Sequence, residues 1–210
     1  MGVSILYSAI PPSSRLYLRL QREKALNTLV VSLFSYGCGI FRFFEIEPEE
    51  IDEILGNVVE IHREIFESEL GADWVVTELR SELTLTRQAF PGIEDRTAML
   101  EKSSEEIEKR LVQELSRKQV ANADEIVQKL LVGDRTFAPD LISIEEGDSL
   151  GLISRELVSQ GASIFRQINP KTLFSTDEGR EGWCLNQLED LKDLYLSAEE
   201  NNEVILVGLE

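Results

Sequence analysis

Two apolar, β-branched stretches at opposite extremes of the sequence leave few arrangements open to everything between them. Val3-Ser4-Ile5-Leu6-Tyr7-Ser8-Ala9-Ile10 stops at Pro11-Pro12, which carry no amide hydrogen and so cannot extend a ladder. Val204-Ile205-Leu206-Val207 follows Asn201-Asn202, a pair suited to a turn. Strands of this kind, remote in sequence, pair in one sheet with helices packed on a face. The expectation is an α+β fold: a helix-rich single domain spanning 1–210, whose small sheet contains the N-terminal and C-terminal strands.

Helical spacing fills most of the interval. Ser13 or Ser14 is placed to cap a helix in which Leu26, Leu29, Val30, Leu33 and Phe34 recur until Gly37 and Gly39, with Gly39 to Phe44 as a further strand. Pro48, among Glu47, Glu49 and Glu50, opens a helix striped by Ile51, Ile54, Leu55, Val58, Ile61, His62, Ile65 and Phe66, which Gly71 closes. Another runs from about Asp73 to Leu85, before the break at Phe90-Pro91-Gly92, and Glu94 to Lys102 is ambiguous. Ser103 with Glu106, and Asn122 with Glu125, read as capping boxes, each opening a helix, the second ended by Gly133. Residues 45–132 thus form an acidic, mainly helical section.

The stretch from Gly133 to Gly151 reads as the loosest part, a loop with at most a short strand at Leu141 to Ile144. A short helix over Ser154 to Gln160 is predicted to stop at Gly161. A loop over 176–182 then precedes an amphipathic helix with Leu185, Leu188, Leu191, Tyr195 and Ala198 on one face. Trp183 and Tyr195 read as anchors of that helix to the sheet.

Composition enters through charge. Of the net −18, residues 1–44 contribute +4, residues 45–114 contribute −13 and the remainder −9. Such a field repels phosphates and anionic lipid, which argues against nucleic-acid and membrane partners. The most apolar window, Ala25 to Phe44, includes Asn27, Thr28, two serines and Arg42, a poor load for a span of about 20 residues. The first positive side chain is Arg15, which disfavours a secretory signal, and Cys38 and Cys184 stand far apart without a CxxC. A cytoplasmic location is expected.

The beginning, the first helix and the end together resemble the YfbM-like family of small bacterial proteins, a domain of unknown function. The residues that carry the likeness are Met1-Gly2-Val3, then Glu23-Lys24-Ala25-Leu26 with Leu29 and Leu33, and finally Leu188 to Tyr195, Ala198 and Val204 to Val207. Leu26 stands where an aromatic residue is usual, and the likeness covers about a third of the chain. It implies an α+β fold and supplies no activity, substrate or catalytic residue.

Catalytic motifs are not found. His62 is the single histidine, so a zincin pair is ruled out, and its place in an apolar stripe favours packing over catalysis. Gly37-Cys38-Gly39 lacks the third glycine of a dinucleotide loop, and Gly161-Ala162-Ser163-Ile164-Phe165 lacks the second glycine of a nucleophile elbow. Asp134, Asp140, Glu145, Glu146 and Asp148 are not spaced as an EF-hand, and solvated charge is the better reading of them. No metal or cofactor is called for.

One feature stands out from an acidic background: Arg15, Arg19 and Arg22, four and three apart and hence on one helical face. They either grip an anionic group of a ligand or partner, or pair internally with the acidic helix after Pro48, the reading we favour. The expected function is a non-enzymatic protein–protein interaction module, of inhibitor or immunity type, that contacts a basic protein partner through its carboxylates. The alternative is a small-molecule-binding protein or hydrolytic enzyme with a site near the 133–151 loop.

Overall fold

A computed structural model describes residues 4–23, 72–137, 149–174 and 179–209, together with Val30 and Glu53. Its elements are β1 (Ile5–Ile10), α1 (Arg15–Leu20), α2 (Ala72–Ala89), a 3-10 turn (Ile93–Asp95), β2 (Thr97–Leu100), α3 (Ser104–Arg117), α4 (Ala123–Val132), β3 (Arg135–Phe137), β4 (Ser149–Ile153), α5 (Arg155–Gln167), α6 (Pro170–Leu173), α7 (Gly179–Glu200) and β5 (Val204–Leu209).

The strands form one antiparallel sheet in the order β2-β1-β5-β4-β3. The first and last strands are neighbours, with Ile5 opposite Leu209, Tyr7 opposite Val207 and Ala9 opposite Ile205. This is the α+β architecture that the two ends of the sequence predict. Alternation sends Ile5, Tyr7, Ala9, Ala98, Leu100, Ile153, Ile205 and Val207 into one core with the apolar faces of α3, α4, α5 and α7. The opposite face is covered as well: Leu6, Ile10, Leu152, Val204 and Leu206 are all buried. α1 lies on that side, since Tyr17 is within electrostatic reach of Arg135, whose register partner is Leu152. α1 packs against α2.

Several sequence expectations are corrected. The helix capped by Ser14, whose Oγ accepts from the Tyr17 amide at 3.2 Å, stops at Leu20 rather than running on, and Gln21 and Arg22 form a turn. The ambiguous 94–102 stretch holds the 3-10 turn and the edge strand β2, four residues too short to display a period. Helices begin where both capping boxes predict, yet neither Ser103 nor Asn122 makes a side-chain cap bond. Ser103 Oγ instead donates to Gln187 Oε1 of α7, and Asn122 adopts a left-handed conformation at φ 55°. The loop expected over 133–151 has strands at both ends, β3 and β4, paired with Thr136 opposite Gly151.

Gly161 does not end a helix. α5 continues through it, because a Cβ there would lie under 3 Å from the Tyr195 ring and from Leu130. The missing side chain lets α5 and α7 approach around that ring, a packing demand that outweighs glycine's poor helix propensity. α6 lies outside the predicted elements; Asn169 caps it, accepting from the Lys171 amide at 3.2 Å. The predicted apolar face of α7 is buried throughout. Val30 is buried, Glu53 is helical and exposed, and the other expectations for 24–71, His62 and Cys38 among them, lie outside the described residues, as do those for 138–148.

Candidate functional site

The groove of interest lies where α3 and α4 meet the first residue of β1. α3 turns Ile107, Leu111 and Leu115 into the core at intervals of four, and the same periodicity leaves Glu105 and Glu108 exposed. α4 buries Ala123, Val127, Leu130 and Leu131, and ends at Gly133 with φ 94°. At that end the helix's last carbonyls need donors. Gly133 N reaches Lys129 O at 2.9 Å, Tyr195 Oη donates to Leu130 O at 2.6 Å, and Tyr7 Oη donates to Leu131 O at 3.0 Å. Burial pushes both phenols well above their ordinary value of 10.0, so they remain protonated donors.

With α4 pinned in this way, Ile5, Leu131 and Val132 form an apolar floor, and Ser104, Glu105, Glu108 and Gln128 the rest of a groove of about 240 Å³. Neither Glu105 nor Glu108 makes an ion pair among the described residues. An apolar floor under two solvated carboxylates suits a side chain with an aliphatic stem and a cationic head. The sequence shows the i, i+3 pair of glutamates beside the Ile107, Leu111 and Leu115 stripe. It does not show that the end of α4 lies beside them, because that adjacency comes from long-range tyrosine bonds.

The arginines are differently placed. Arg15 and Arg19 share a face of α1, whereas Arg22 lies in the turn after it, exposed. Arg15 Nε pairs with Glu82 at 2.8 Å. Arg19 meets Glu23 at 2.6 Å, Glu78 at 2.5 Å and Glu82 at 2.7 Å. Glu78 and Glu82 belong to α2, so the partners within the described residues come from that helix; the segment after Pro48 is described only at Glu53. The hydrogen bonds that Arg19 donates to Glu23, with those to Glu82 and Glu78, raise its guanidinium further above its ordinary range against the opposing effect of burial. Glu82 is fully buried, and its Oε2 has no hydrogen-bond partner among the described residues.

Other sequence candidates have structural employment. Asp134 accepts from the Ser154 amide at 2.9 Å and hydroxyl at 2.6 Å, fixing the residue that caps α5. Asp140, Glu145, Glu146 and Asp148 lie outside the described residues, and no cluster fit to hold a metal ion is found among the described residues. Cys184 is buried and free, its thiol pushed up by burial. Trp183 packs, partly buried, against the core, and Tyr195 stacks at 5.1 Å from Phe165 and anchors α7 to α4. No helix among the described residues is long and apolar enough to cross a membrane. Compared with known proteins, the chain matches no family model, no curated protein and no solved structure.

Proposed function

We propose that the chain is a YfbM-like cytoplasmic protein that acts as a non-enzymatic protein–protein interaction module of inhibitor or immunity type. In this reading the groove between α3 and α4 receives a lysine or arginine side chain of a basic partner protein. The observation that carries it is the pairing of an apolar floor, Ile5, Leu131 and Val132, with the rim carboxylates Glu105 and Glu108, which make no ion pair among the described residues. The stem of the partner's side chain would cover the floor and its cation would meet the rim. The charge of −13 over residues 45–114 would steer the encounter and make it salt-dependent.

A titration of the full chain with Nα-acetyl-lysine methylamide, followed by backbone amide shifts, tests this. Saturable shifts at Ile5, Glu105, Glu108 and Val132 are expected, with loss in an E105K/E108K variant, which changes two exposed residues and leaves the core intact. The same variant should no longer hold a basic protein that the native chain holds at low salt and releases at high salt. Equal binding of the neutral norleucine analogue, or indifference to the charge reversal, would sink the reading.

The alternative, a small-molecule site near residues 133–151, has less support. The described part of that region is a hairpin whose Asp134 is committed to Ser154.

A further inference from the structure

The groove between α3 and α4 carries an acceptor besides its two glutamates. Gln128 is exposed on α4, three and four residues before the floor residues Leu131 and Val132, and therefore on their face of that helix. It lines the groove together with Glu105 and Glu108, and its side chain makes no hydrogen bond among the described residues. The polar groups of the groove thus come from two helices. α3 supplies two carboxylates one turn apart, and α4 supplies a neutral amide whose oxygen is an acceptor.

The two kinds of cationic side chain meet such a set differently. An ammonium is a compact, strongly hydrated point charge with three donors, which carboxylates and water satisfy. A guanidinium is planar and carries five donors around its rim, so one edge engages carboxylate while another reaches an acceptor on a second element. It is also more weakly hydrated, which suits the apolar floor of Ile5, Leu131 and Val132. Given that the groove receives a cationic side chain, the reading of its function on which this rests, we infer that it selects arginine over lysine and that Gln128 sets the preference. Glu105 and Glu108 hold one edge of the guanidinium, and the Gln128 amide oxygen accepts an N–H from another. The glutamates supply affinity for either cation, whereas Gln128 is the specificity-determining residue, and the basic partner presents an arginine.

Amide-shift titrations of the full chain with Nα-acetyl-arginine methylamide and with Nα-acetyl-lysine methylamide, at one ionic strength, decide the matter. The arginine derivative should bind about tenfold more tightly, the worth of one further hydrogen bond to a charged group, and it alone should shift the side-chain amide signals of Gln128. Gln128→Met removes the acceptor at an exposed helical position while keeping side-chain length and helix propensity. In that variant the ratio should fall to about twofold or less, through lost arginine affinity with the lysine affinity unchanged. Glu108→Gln should weaken both derivatives alike. Equal binding of the two derivatives by the native chain would overturn the selectivity and leave the groove a receptor for any cationic side chain. A ratio that survives in Gln128→Met, or a loss there that is as uniform as in Glu108→Gln, would overturn the assignment to Gln128. Absence of saturable binding by either derivative would instead remove the groove's proposed function, and the selectivity with it.

Discussion

On one side of the sheet, two tyrosines donate their hydroxyls to successive carbonyls at the end of α4; on the other, a glutamate is buried at the junction of α1 and α2 and held by two arginines. Both arrangements bury polar atoms, but they solve different problems. The phenols supply donors to a helix end that has run out of them, at no charge cost, and each is neutral across the ordinary pH range. Glu82 is taken out of water as an anion, and what offsets its desolvation is Arg19, itself largely buried and shared with Glu23 and Glu78. The first is a set of additions to a core that apolar contacts already define. The second stands only while every member is present.

That difference sets the expected order of mutational effects. Arg19→Met removes the cation shared by three carboxylates and, among the described residues, leaves Glu82 with Arg15, whose side chain is 65% exposed. Breaking one side of a buried pair costs about 3–5 kcal/mol. Glu82→Gln, which discharges the buried member while keeping its shape, should cost less than Arg19→Met. Urea denaturation of the two variants measures this; an Arg19→Met loss under about 1 kcal/mol would mean that the network behaves like a surface ion pair.

Tyr195→Phe comes next. The ring stays, packed against Gly161 and Phe165, and only the hydroxyl is lost, so the Leu130 carbonyl is left buried without its donor at a cost of about 1–3 kcal/mol. Tyr7→Phe does the same to Leu131 and should fall in the same range. A double variant whose cost falls well short of the sum of the two singles would show that the phenols act as one latch on α4. Such a result would erase the contrast with the arginine network.

The comparison also marks where the sequence is readable. The tyrosine side belongs to helices whose stripes are explicit, Ile107-Leu111-Leu115 and Leu185-Leu188-Leu191 above all, and these helices appear where periodicity places them. The terminal strands are equally plain, since β1 is apolar on both faces and ends at proline. What periodicity misses is decided by contacts between distant residues. Gly161 looks like a stop until the Tyr195 ring is known to lie against it. β2 and β4 are short, and β4 contains a glycine required because a Cβ on Gly151 would collide with the Val132 carbonyl. The candidate groove was half visible: Glu105 and Glu108 can be read from their spacing, but the floor of Ile5, Leu131 and Val132 joins residues more than a hundred positions apart. Arg15 and Arg19 were legible as a pair on one face, and only the fold names Glu78 and Glu82 as partners.

The smallest expected effect separates the two sides by pH. The hydrogen bond from Arg19 holds the Glu23 carboxyl below its ordinary 4.5, outweighing the opposing effect of burial. A group depressed in the folded state contributes stability above its unfolded value and loses it as pH falls through the folded one. The stability difference between native chain and Arg19→Met should therefore narrow below about pH 4.5. For Tyr7 and Tyr195 the sign reverses: burial raises both above 10.0, so their contribution is complete below that value and declines as pH climbs beyond it. The difference between native chain and the double Phe variant should thus hold steady through neutrality and shrink in alkali. Measuring differences cancels the many carboxylates that titrate alike in both proteins, and crossed behaviour, with the phenol variant responding to acid and the arginine variant to alkali, would show that the two sides of the sheet are not held in the way their hydrogen bonds imply.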